Sequence, residues 1–313
     1  RNGDLEAAER NLRALADQEP ERSERVLDVV RLLMRRDGTD AGLAELDRRI
    51  AAAPDAVAAW PFIQTKASIL HGEGRRDEAE QVLREEIDAL EGDPAVNEAK
   101  VALARLRLGM DDRAAGEDLI AEVLAEDEAN AGALSLKARL AIADQDYDTA
   151  IADLRKAVTE DPDNVGVLQL LAVAHRRNGN RQLAGERLAD AMEASDNATG
   201  PVLDYARYLI REGKSDFAGQ IIEDALGARP NDRELLEALA SLKLRQQDWI
   251  AAEELSQRIA DLGAGDRLAA DVLAAAKAGQ RDFEGSLAAM TGSGTDGARE
   301  RGVEQLVIAH ARA

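Results

Sequence analysis

The chain has 313 residues; 45% are apolar, only 3% are aromatic, and none is cysteine. Acidic residues outnumber basic ones 61 to 40, for a net charge of −21. That excess disfavours nucleic acid and anionic membrane surfaces as partners and favours solubility. The lack of cysteine excludes disulfides and thiolate metal sites, and no apolar run reaches the roughly 18 residues that a membrane-spanning helix needs.

Residues 1–22 read as a single amphipathic helix with Leu5, Ala8, Leu12 and Leu15 on one face. They lack both an initiator methionine and the basic start and apolar stretch of a signal peptide. An apolar stripe at the very start needs cover. The expectation is therefore a half unit whose first helix is missing, in a fragment of a longer protein.

Residues 23–59 carry Val26, Val30 and Leu33, then Leu43, Leu46 and Ile50, two apolar stripes at helical spacing. Residues 60–96 open on Trp60-Pro61-Phe62, which predicts a helix with proline in its first turn. Both segments are 37 residues long, and their extra residues are expected to lengthen turns rather than interrupt helices.

Five segments of 34 residues follow, at 97–130, 131–164, 165–198, 199–232 and 233–266. In 131–164, Leu134, Ala138 and Ala141 mark one stripe and Tyr147, Ala150, Leu154 and Ala157 a second, separated by Asp144-Gln145-Asp146. Such a pair cannot bury two stripes alone and needs neighbours of its own kind. Pro201 predicts another helix start, and Gly109, Gly179 and Gly213 predict left-handed caps at the ends of first helices. A degenerate unit at 267–297 ends in the glycine-rich run 291–297. That run lacks the lysine and strand context of a nucleotide loop and reads as a connection. Residues 298–313 predict a last helix with Val303, Leu306, Val307 and Ile308, which either begins a further unit or caps the open end.

The units share a register. Ala8, Gly42, Ala79, Gly116, Ala150, Ala184, Ala218, Ala252 and Ser286 recur at intervals of 34 or 37, every one of them small. Val30, Ala67, Ala104, Ala138, Ala172, Ala206, Ala240 and Ala274 form a second series on the first helices. Two facing series of small side chains mark a close approach inside each pair. With the turns at Gly3-Asp4-Leu5, Asp146-Tyr147, Asp248-Trp249 and Asp282-Phe283, and prolines at Pro20, Pro54, Pro162 and Pro230, the chain resembles bacterial-type multi-repeat proteins of the tetratricopeptide-repeat family over nearly its whole length. The resemblance implies an all-α, right-handed α-solenoid of stacked helix-turn-helix repeats forming a single domain. It also implies a concave groove, lined by first helices, in which peptides or partner helices lie.

No catalytic constellation stands out. His71, His175 and His310 lie far apart, and His175 reads as a packing residue. There is no His-Glu-x-x-His pair, Gly-x-Ser-x-Gly elbow or dinucleotide fingerprint. The acidic Asp161-Pro162-Asp163-Asn164 reads as a turn rather than a calcium loop, since the closing bidentate glutamate is absent in register. Charges spaced along second helices, such as Arg84 with Asp88, suit a solvated outer face. No cofactor or metal is implied.

One charge pattern is less ordinary. The ninth residue of the first helix is Arg31, Arg105, Arg139 or Arg207 in four units, and four residues later stand Arg35, Arg177, Arg211 and Arg245. These eight are the candidate partner-binding residues, because guanidinium groups one helical turn apart match carboxylates in two-point geometry. The other reading pairs them with Asp28, Asp204, Glu237 and Asp271 on the same surface. The asparagines that chaperone-tail clamps of the family require are absent. Their positions hold Asp28, Thr65, Ala102, Leu136, Leu170, Asp204, Ala238 and Val272.

The reading is thus a non-enzymatic scaffold that binds another protein or peptide in its groove. Leu136, Leu170, Ile142 and Ile210 would supply apolar area and the arginines orientation; neither nucleic acid nor membrane insertion is implied, and the oligomeric state stays open. The Ala/Arg/Asp-rich units also look similar to those of long exported bacterial proteins. That likeness implies the alternative of a periplasmic scaffold in exopolysaccharide or envelope export, and tilts the expected location slightly from cytoplasmic towards periplasmic. A third reading makes the chain a helical accessory of an enzyme whose catalytic domain lies elsewhere.

Overall fold

A computed structural model describes residues 2–18, 22–263 and 267–291. The expected glycine-rich connection from 292 onward, the last helix at 298–313 and His310 lie outside the described residues. The described chain is all α, with seventeen helices and no strand.

The backbone falls into two compact units, Arg1–Gln145 and Asp146–Ala313. The first holds α1 (Asn2–Gln18), α2 (Ser23–Asp37), α3 (Thr39–Ala52), α4 (Ala56–Gly72), α5 (Arg76–Ala89), α6 (Val96–Gly109), α7 (Arg113–Glu126) and α8 (Ala131–Ala143). The second holds α9 (Tyr147–Glu160), α10 (Val165–Arg177), α11 (Arg181–Ala194), α12 (Thr199–Arg211), α13 (Ser215–Ala228), α14 (Arg233–Arg245), α15 (Trp249–Leu262), α16 (Arg267–Gly279) and α17 (Phe283–Thr291). Residues 131–164 therefore contribute α8 to one unit and α9 to the other.

Inside each unit the chain is an α-solenoid of helix pairs, α2/α3, α4/α5 and α6/α7 in the first and α10/α11 through α16/α17 in the second. Each pair packs on the next, and first helices of successive pairs also touch: α2 with α4, α4 with α6, α6 with α8, and α12 with α14, α14 with α16.

The small-residue register holds the pairs together. Ala79, Ala150, Ala218 and Ala252 are fully buried, as are Ala104, Ala138 and Ala240 on the first helices. A Cβ at Gly116 would stand 2.6 Å from Leu108 Cδ2, so a larger residue in α7 would have to displace the Leu108 side chain of α6. Ser286 occupies the same position in α17 and donates its hydroxyl to the Ala274 carbonyl at 2.9 Å, which satisfies a buried polar group. Around these contacts Leu46, Leu70, Leu154, Leu168, Leu171, Leu209, Leu235 and Ile259 are almost wholly enclosed; each contributes about 1.5–3 kcal/mol by leaving water.

Helix starts follow the same frame. Asp112, Asn130, Asp146, Asn164, Asp232 and Asp248 each accept the backbone N–H three residues on, the ordinary N-cap bond. From α4/α5 onward the turn inside each pair needs one left-handed residue. Gly74, Asp111, Gln145, Gly179, Gly213, Gln247 and Arg281 fill that place with φ between +61° and +82°.

Three expectations need correcting. Gly109 is the last residue of α6, and the left-handed residue is Asp111, two further on. Pro61 is not in a first turn: Asp55 caps α4 through Ala58 N–H at 2.8 Å, so the helix starts a full turn earlier than the Trp60-Pro61 pair suggests. Pro61 cannot bond the Val57 carbonyl, which is tolerable because Val57 sits on the exposed side. The extra residues of the 37-residue units consequently act in two ways. One set lengthens α4 to 17 residues, and the other opens a six-residue connection, 90–95, between α5 and α6.

Candidate functional site

All eight sequence-selected arginines are exposed on first helices. Arg31, Arg35, Arg105 and Arg139 belong to the first unit, and Arg177, Arg207, Arg211 and Arg245 to the second.

Two of them are taken. Arg31 Nη1 holds Asp28 Oδ1 at 2.7 Å, and Arg207 Nη1 holds Asp204 Oδ1 at 2.5 Å, each one turn apart on its own helix. Glu237 and Asp271 pair instead with Arg233 and Arg267. Among the described residues the other six candidates make no ion pair. Arg84, on a second helix, pairs with Glu80 at 2.7 Å rather than with Asp88.

The apolar residues expected to line the groove are mostly spent on the core. Leu136 and Leu170 are buried, so only Ile142 and Ile210, both half-buried, keep accessible area. An apolar trough is therefore not what these faces offer.

In the second unit the face of α10 and α12 contains a pocket of about 140 Å³. Gln169, Ala172, Val173 and Arg176 come from α10, Ala184 and Leu188 from α11, and Asp204, Tyr208 and Arg211 from α12. The small residues explain why a pocket exists at all: Ala172 and Ala184 are the register positions of the two helices, and they leave the floor low. Tyr208 forms one wall. It stacks on Tyr205 with ring centroids 6.1 Å apart and lies so close over Gly185 that a side chain there would have to push the ring aside.

The electrostatics are one-sided. Asp204 is occupied on both oxygens, by Arg207 and by Gln169 Nε2 at 2.8 Å. Arg176 and Arg211 point no charge at any described partner and remain the pocket's free cations. Burial and the nearby Glu212 push the Tyr208 phenol above its ordinary value, so it stays a neutral hydroxyl donor. Two cations and a hydroxyl donor around a small cleft suit a carboxylate.

The frame selected Arg211 but passed over Arg176, Tyr208 and Gln169. Arg176 directly precedes Arg177, and the repeat position favoured the latter. His175 is buried with its Nδ1 unpartnered; burial and the neighbouring Arg155 and Arg187 hold it below the usual histidine range. Among the described residues no three His, Asp or Glu side chains come together as a metal site, and no helix is long and apolar enough to cross a membrane.

A family model described as tetratricopeptide repeat matches residues 141–202, the stretch that contains α10 and α11. Yeast Tom70 matches with a TM-score of 0.56 at 15% identity, over 88% of this chain and 61% of its own. A tetratricopeptide repeat protein from Parabacteroides merdae ATCC 43184 matches with a TM-score of 0.46 at 16% identity, over 79% and 97%. Pseudomonas aeruginosa PilF matches at 0.48 and 20%, over 66% and 93%. The Tom70 likeness is one of fold alone. No curated protein matches the chain in sequence.

Proposed function

We propose that this chain, a tetratricopeptide-repeat protein, is a non-catalytic scaffold that takes a carboxylate-bearing segment of a partner protein on the first-helix face of its second unit. The observation that carries this reading is the pair Arg176 and Arg211. They flank one pocket while the acid beside them, Asp204, is already satisfied. In a chain of charge −21, cations left without a partner around a cleft are the groups with binding energy to give. Tyr208 supplies a neutral donor.

The reading narrows the eight-arginine site. Arg31 and Arg207 serve mainly their own helices, and Arg35, Arg105, Arg139, Arg177 and Arg245 are exposed but lie outside this pocket. The test is the affinity of a fluorescein-labelled acetyl-Ala-Glu-Ala-Asp-Ala peptide, followed by anisotropy. Arg176→Gln with Arg211→Gln is expected to weaken binding about tenfold or more, as for lost charge-assisted bonds. The control Arg181→Gln with Lys214→Gln removes two exposed cations from the same unit. Equal losses for both pairs would mean that bulk charge, not the pocket, holds the peptide.

A further inference from the structure

The pocket of the second unit has one acid in its lining, Asp204. Asp204, Tyr208 and Arg211 follow at i, i+4 and i+7 along one face of α12, and Gln169, Val173 and Arg176 repeat that spacing on α10. All six line the pocket. The two helices therefore bring an acid and an amide to one end and two guanidinium-bearing residues about 10 Å further along the axis.

A carboxylate in that position is a rival for the arginines. Its partner on its own helix does not disarm it: Arg207 takes only Oδ1, and an exposed pair three residues apart is weak and screened by salt. Oδ2 is held from the neighbouring helix, where Gln169 Nε2 donates to it at 2.8 Å. A comparison inside the chain shows that this bond is not part of the Asp-Arg pair itself. Asp28 and Arg31 in the first unit make the same local pair, and among the described residues no side chain of another helix reaches Asp28. The cross-helix amide belongs to the two helices that carry the pocket.

We infer that Gln169 is a positioning residue for this pocket: it pins Asp204 against α10, off Arg176 and Arg211, and so keeps the pocket selective for an acidic ligand. An amide suits the task. It donates N–H groups without charge, whereas an arginine or lysine would add a competing cation and a glutamate a second acid. Without Gln169, Oδ2 loses its one partner among the described residues. The freed carboxylate then turns towards the guanidinium groups, where it pairs with one of them or repels an incoming carboxylate. Either outcome lowers affinity for an acidic segment. The inference rests on the reading of this pocket as a carboxylate site.

The test compares the parent with Gln169→Leu, Asp204→Asn and the double variant, since leucine keeps helix propensity and approximate volume without the N–H donor. Affinity for the labelled acetyl-Ala-Glu-Ala-Asp-Ala peptide is expected to fall about threefold in Gln169→Leu, the scale of one partly exposed charge contact. The double variant is expected to bind as tightly as Asp204→Asn, because Gln169 acts only through that acid. A second readout needs no ligand. In the free chain, Gln169→Leu should move the Nε–Hε signal of Arg176 or Arg211, and adding Asp204→Asn should return it. An affinity loss that persists in the Asp204→Asn background would make Gln169 a direct contact or a packing residue and overturn the inference. So would arginine signals that are the same in the parent and in Gln169→Leu. Unchanged peptide affinity in Arg176→Gln with Arg211→Gln would instead sink the carboxylate reading, while the free-chain spectra still decide whether Gln169 holds Asp204 off these arginines.

Discussion

Glu86 is the sharpest place to test the packing account. It lies on α5, seven residues after Ala79. The equivalent places in later units hold Val123, Ala157, Ala191, Ala225 and Ile259, all buried. Glu86 is buried too, at 4% exposure, with Oε1 unpartnered and no cation to offset it. Burial alone pushes its carboxyl above the usual range. Glu86→Leu keeps the approximate volume and the helix propensity while removing the unmatched oxygen. Such an oxygen costs about 1–3 kcal/mol, so the variant is expected to be more stable than the parent by about that amount at pH 8.

The pH dependence has a definite sign. A carboxyl with its folded-state pKa above the unfolded value holds more protons when folded, so its contribution is intact at low pH and is lost as pH rises through the folded pKa. The stability gap between Glu86→Leu and parent should therefore widen from pH 5 to pH 8. Urea unfolding read by helicity measures it, with hydrogen exchange in α5 and α6 reporting locally because repeat arrays can open in pieces. A variant less stable than the parent at pH 8, or a gap that ignores pH, would refute the reasoning.

Gln247→Gly removes a side chain from a left-handed position at φ +61°, and should raise the urea midpoint by the equivalent of about 1 kcal/mol; a lower midpoint would count against the turn assignment. His175, held below the ordinary histidine range by burial and two arginines, should make the parent lose stability as pH falls below about 6.5, and His175→Gln should flatten that loss. A profile unchanged by the substitution would place the acid sensitivity elsewhere. Gly185→Val leaves no room for the Tyr208 ring and should cost acidic-peptide affinity with helicity retained; intact affinity would remove Tyr208 from the pocket.

What was legible in the sequence is what the 34-residue period repeats. The small residues at Ala150 and Ala138 stand out because their counterparts keep the same size, and close helix approach demands it in every unit. Departures from the period were harder to read. Asp111, Gln145, Gln247 and Arg281 take the left-handed place that glycine fills at Gly179 and Gly213, and only counting positions reveals them. Pro61 misled because its own local rule favours a helix start, while Asp55, six residues back, supplies the stronger cap. Glu86 carried a usable signal, a charge in a column of small and apolar residues.

The sites depended on contacts that no single helix encodes. Arg211 was selected by its repeat position, but its pocket also needs Arg176 on α10, Ala184 on α11 and the Gly185–Tyr208 approach. Which arginines are free depends equally on where acids fall. Asp28 and Asp204 sit three residues before Arg31 and Arg207, so those two close onto their own helices. Arg211 has no such acid within reach. The connection 90–95 is two residues longer than its four-residue counterparts at 127–130 and 161–164, a length that no periodicity dictates.

The most direct measurement of the central claim is the arginine side-chain Nε–Hε spectrum of the chain during titration with the acetyl-Ala-Glu-Ala-Asp-Ala peptide. The signals of Arg176 and Arg211 are expected to shift together and saturate at one equivalent, while Arg207, held by Asp204, and Arg187, held by Asp190, stay in place. Movement of Arg207 and Arg187 with Arg176 and Arg211 unmoved would contradict the account.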